Sequence, residues 1–197
     1  MSTSKSPLYS VMAVLFGLVV LAGGAAKLYR GYSDLKSSGL DPKMGELLKK
    51  SDASVAEANR TTSTAVPAFQ ELLNDFDTLG FAAFRSEKIE ACAKLSEQFA
   101  AVSAHLQEAS NSIVEATKQG TDEKTTAFLL ARSRSYELLV KVNTKNIDII
   151  RATLDESMVD MNTIVEKVMS IAESRDADQK KADEASTAAS ASIVKRS

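Results

Sequence analysis

From Met44 to Ala172, apolar and small residues return every third or fourth position. That rhythm limits the chain to long helices packed side by side, because alternating steps of three and four stay on one face of an α-helix. One stripe runs from Met44 through Leu48, Ser51 and Ala58 to Phe69 and Phe76. A second runs from Cys92 through Phe99 and Leu106 to Ile113 and Ala116. A third starts at Leu129, passes Ser133, Tyr136, Asn143 and Ile150, and continues through Leu154, Met158 and Met161 to Ala172. Gly occurs 8 times and Pro 3 times in 197 residues, and there is no Trp. Few helix breakers favour helix over a turn-rich β fold.

Local signals set the expected boundaries. Asp41-Pro42 is a helix start, with Asp as N-cap and Pro where its missing N–H costs nothing. Pro67 lies inside the first stripe and predicts a kink, since it removes one backbone bond and crowds the preceding turn. Gly80 is a plausible stop. Gly120 followed by Thr121-Asp122-Glu123 reads as a helix end and a new N-cap, hence an antiparallel hairpin. The spacing therefore predicts helices over 42–79, 86–119 and 122–175, in an all-α, elongated, antiparallel three-helix bundle of coiled-coil type. Asn143 interrupts the third seam and is expected to set its register. The charged and Ala/Ser-rich residues 176–197 read as a polar low-complexity tail.

The expected third helix outruns the other two by about 25 Å at 1.5 Å per residue. Val165, Val168 and Ala172 would stand on that overhang, making them the candidate interaction surface with a second copy or a larger complex.

The N-terminal part has a different character. No charge lies between Lys5 and Lys27, and Val11–Ala22 is almost wholly apolar. After a short polar start (1–7), residues 8–30 are long enough to span a bilayer, with 31–41 as a linker. Lys27, Arg30 and Lys36 form a candidate lipid-headgroup collar. Residues 1–50 carry seven Lys/Arg against three acids, +4 of a total net charge of −2, leaving −6 for the rest. A single-pass membrane localisation with the bilayer as a partner is expected. The count of basic residues leans towards a cytoplasmic bundle, and the extracytoplasmic side stays open. The rival reading is a signal peptide cleaved near Ala22-Gly23-Gly24-Ala25-Ala26.

The composition also excludes function classes. A net charge of −2 offers no basic nucleic-acid surface. Cys92 is the single cysteine and His105 the single histidine, too few for a di-metal bundle or a Cys/His pair. No cofactor motif is present, and no enzyme activity is expected. Arg132, Arg134 and Arg151 read as a solvated face paired at helical spacing, with an anion site as the alternative. Arg132, Tyr136 and Asn143 lining a ligand pocket is a further alternative. Two functions follow. One is a membrane-tethered scaffold or adaptor that assembles through protein contacts. The other comes from the layout of residues 8–172, an anchor and then an up-down bundle. It resembles the periplasmic half of chemoreceptor-type four-helix sensor domains, without a second span or a signalling domain. That resemblance implies a ligand-binding module.

Overall fold

The computed structural model describes residues 41–194 apart from 80, 158 and 159. It contains four helices, α1 (Pro42–Leu79), α2 (Phe81–Thr117), α3 (Glu123–Leu154) and α4 (Met161–Val194). No strand occurs among the described residues. Successive helices pack against each other, α1 on α2, α2 on α3 and α3 on α4. They run antiparallel: Lys88 pairs with Asp75 beside the α1–α2 connection, and Lys50 with Glu108 far from it. The result is an up-down four-helix bundle.

Burial follows the stripes read from the sequence. On α2, Cys92, Leu95, Phe99, Val102, Leu106, Ala109, Ile113 and Ala116 are all buried. The core has two parts. One, towards the α1–α2 turn, includes Phe69 and Phe99 (ring centroids 5.5 Å apart, edge to face) and Phe76 and Phe84 (5.0 Å). The other, towards the α2–α3 turn, joins Met44, Leu48, Ile113, Phe128 and Leu129. Helix α1 passes through Pro67 without a break. Pro67 itself is exposed while its neighbours Ala65 and Phe69 are fully buried. Packing on both sides of the proline holds the helix across the lost bond.

The hairpin after α2 forms where its residues place it. Gly120 has φ 80°, the left-handed conformation that ends a helix. Asp122 is the N-cap of α3, its side chain accepting from Thr125 N at 2.9 Å and from Thr125 Oγ1 at 2.6 Å.

The third helix differs from expectation. Instead of continuing to residue 175, the chain leaves the helix at Asp155 and re-enters one at Met161. Two aspartates organise the reversal. Asp155 Oδ1 accepts from Ser157 N (3.1 Å) and Ser157 Oγ (2.6 Å). Asp160 Oδ2 accepts from Thr163 N (3.0 Å) and Thr163 Oγ1 (2.9 Å), which caps α4. Arg85 of α2 donates to Thr153 O and Asp155 O, so a cation covers the carbonyl end of α3.

The overhang therefore does not exist. Val168 and Ala172 are buried in the core and Val165 packs partly buried against it. They face their own bundle, because folding the strip back lets its apolar side close on α3. Of the residues expected as a tail, 176–194 belong to α4, with Ala182 and Ala189 buried, and 195–197 lie outside the described residues.

The localisation is corrected as well. Among the described residues no helix is long and apolar enough to cross a membrane, against the single-pass expectation. Residues 8–30, with Lys27 and Arg30, and the linker residue Lys36 lie outside the described residues.

Phe69→Ala should cost about 3–5 kcal/mol of unfolding free energy, as for other buried Phe truncations, read by urea denaturation. Asp160→Ala should lower the urea midpoint while leaving the slope unchanged. An unmoved midpoint would show that the reversal does not depend on this cap.

Candidate functional site

Arg132 and Tyr136 stand one turn apart on α3, on a face shared by neighbours on both sides. Helix α3 packs against both α2 and α4, so more than one stripe of it must be buried. That geometry carries Arg132 inside, to 3% exposure. Its Nε donates to Tyr136 Oη at 2.8 Å and its Nη2 to Asp52 Oδ1 of α1 at 2.6 Å. The guanidinium carbon lies 5.6 Å from the Tyr136 ring centroid. Asp52 retains 22% side-chain exposure. The ion pair thus joins two helices that are not sequential, with the acid at its wetter end.

Other polar contacts lie nearby along the chain. Ser110 of α2 and Ser133 share a hydrogen bond of 2.7 Å. Ser54 donates to Glu108, which also pairs with Lys50 at 3.2 Å. Ser135 donates to Ala182 O of α4 at 3.0 Å. Burial opposes the charge on Arg132, but Tyr136 and the Asp52 carboxylate outweigh it and hold the guanidinium above its ordinary range. Burial raises the Tyr136 hydroxyl, only partly offset by Arg132.

Arg132 Nη1 has no hydrogen-bond partner among the described residues, and neither does the buried Ser51 Oγ of α1. Further along α3, Asn143 and Asn146 are each 1% exposed. Asn143 Nδ2 donates to Leu139 O of its own helix at 3.0 Å. Its Oδ1 and both polar atoms of Asn146 have no such partner among the described residues. Asn143 is thus buried in the seam, but its one hydrogen bond does not reach across to another helix.

The remaining sequence candidates fall in several places. Arg134 and Arg151 stay outside, paired with Glu137 and Asp148 (3.6 Å each). Arg132 leaves that set because its partner, Asp52, lies 80 residues away. Glu108 bonds Lys50 and Ser54, and no group of three metal-ligating side chains occurs among the described residues. Cys92 is fully buried, and burial pushes its thiol up to about 11. Arg175, the last residue of the helix predicted over 122–175, is 2% exposed and donates to Asp176. Its signal was its position, three residues after Ala172 on the stripe. On the outside, a groove between α1 and α2 has Leu72 and Leu95 at its base. Glu71 and Asp75 form one wall, Lys88 and Lys94 the other.

Comparison of the chain with protein-family models, curated proteins and solved structures finds no match.

Asp52→Ala should cost about 3–5 kcal/mol, because it strands a buried cation. Arg132→Met should cost less, since Asp52 can turn to water. Urea unfolding of both variants checks the order. A thiol reagent at pH 8 should leave folded Cys92 unlabelled and label it in urea. With a folded pKa of about 11 against an ordinary 9.0, the neutral thiol's contribution is intact below pH 9 and fades as pH rises towards 11.

Proposed function

We propose that this bundle is a ligand-binding module of the sensory four-helix type and carries out no catalytic step. The observation behind it is the Arg132 guanidinium, enclosed by the bundle while its Nη1 has no hydrogen-bond partner among the described residues. Exchanging a buried ion pair for apolar residues of similar volume is often neutral, or stabilising by about 1–4 kcal/mol. Stability alone therefore gives little reason to keep Arg132 and Asp52 inside. A site that recognises a polar molecule does, because its donors must be held in place before the ligand arrives.

The scaffold reading rested on an apolar overhang, and Val165, Val168 and Ala172 are instead spent on the bundle's own core. What favours it now is the α1–α2 groove. Its acidic and basic walls complement those of a second copy turned about a two-fold axis parallel to the bundle. Asp75 and Lys88 already pair across it at 2.7 Å, which leaves Glu71 and Lys94 as the charges for such a contact.

A thermal-shift screen of the purified chain against amino acids, organic acids and aromatic compounds should find a compound that raises the melting temperature in a saturable way. A flat screen, combined with a concentration-dependent dimer by light scattering, would replace the sensory reading with the scaffold one.

A further inference from the structure

We propose that Arg132 is a binding site for a small monocarboxylate and that Asp52 fills it, as an internal stand-in, in the ligand-free protein. The proposal rests on the ligand-binding reading above and names the chemistry of its ligand.

The guanidinium is under-used as it stands. Nε is committed to Tyr136 and Nη2 to a single oxygen of Asp52, while Nη1 has no partner among the described residues. A guanidinium fork matches two carboxylate oxygens at once, through parallel N–H···O bonds. Asp52 supplies one, so the pair is monodentate. Its backbone belongs to α1, which restricts how far the carboxylate can turn to face the fork. An untethered carboxylate is free of that restriction and can engage Nη1 and Nη2 together.

The pair also has a defined way to open. Arg132 is 3% exposed and Asp52 22%. The acid is therefore the member in touch with water, and its side chain can swing outward without unwinding a helix. Tyr136 keeps the guanidinium in position while this happens, through the Nε bond and the ring 5.6 Å away.

Charge sets the ligand class. One carboxylate leaves and one arrives, so a monoanion keeps the interior neutral. A dianion would add a buried charge with no counter-ion, which the bundle cannot solvate. Glu108 and Lys50 neutralise each other and add no further cation. The packed surroundings, with Leu106 of α2 and Leu129 of α3 buried in the same core cluster as Tyr136, restrict the carboxylate to a small one.

The test is chemical rescue in the full chain. Asp52→Gly removes the stand-in and leaves room beside the guanidinium. Its melting temperature should lie below that of the unsubstituted protein. Sodium formate or acetate should raise it by several degrees, saturably, relative to sodium chloride at equal ionic strength. The double variant Asp52→Gly/Arg132→Met should show no such difference between salts. If formate and chloride act alike on Asp52→Gly, the carboxylate site is overturned. Should Asp52→Gly fail to fold, Asp52→Asn also leaves the cation without its counter-charge, and the same titration decides. Rescue of the variant together with a flat ligand screen of the unsubstituted chain keeps the site and removes the sensory reading. Hits confined to uncharged compounds, with Asp52→Gly indifferent to formate, keep the sensory reading and remove the site.

Discussion

The bundle depends on closing apolar stripes that no single helix can shield by itself. Each fully buried Leu, Ile or Phe contributes about 1.5–3 kcal/mol relative to exposure, and an isolated helix has nothing to bury it against. With Phe69, Phe99, Ile113, Leu129, Ile150 and Ile164 all nearly inaccessible, the four stripes meet along one axis. Everything else is accommodated to that closure. Pro67 is tolerated because the residues around it are clamped. The chain reverses at 155–160 because doing so lets Ile164, Val168 and Ala172 complete the same core.

The polar interior is the main departure from this rule. A core of Leu, Ile and Ala would close as well without Arg132, Asp52, Asn143 or Asn146. Where polar atoms are buried, bonds are normally found for them. Arg132 is largely provided for, through Tyr136 and Asp52, but its Nη1 is not. Together with Asn143 and Asn146, this divides the α3 seam into apolar stretches separated by groups that lack a full set of hydrogen-bond partners among the described residues. Such groups cost stability while unsatisfied, and that cost falls at Arg132 as well as at Asn143 and Asn146.

The reversal shows where reading a sequence by periodicity fails. Leu154, Met158, Met161 and Val165 keep the spacing of four and three through the turn. That spacing is the same whether a helix runs straight or folds back on itself, so periodicity could not distinguish one long helix from two. The evidence for a break was chemical. Asp155 followed by Ser157 can bond an N–H within a turn, and Asp160 followed by Thr163 can satisfy a free N–H at a helix start. No glycine or proline lies nearby to reinforce them. The Ala/Ser-rich end is ambiguous in sequence for a related reason. Small residues suit both a solvated tail and a tight helix seam, and Ala182 and Ala189 take the second role.

By itself the sequence determined that the described chain is helical, which faces of α1 and α2 turn inward, and that a hairpin forms at Gly120. These are local matters, settled by a period of 3.6, by the scarcity of breakers and by one left-handed glycine. Tertiary structure decided the number of helices, the burial of Val168 and Ala172, and the pairing of Arg132 with Asp52 rather than with a neighbour on its own helix. Those depend on which surfaces meet. A charged side chain chooses its partner by distance in space, and 80 residues of sequence separation leave no local pattern from which that choice could be read.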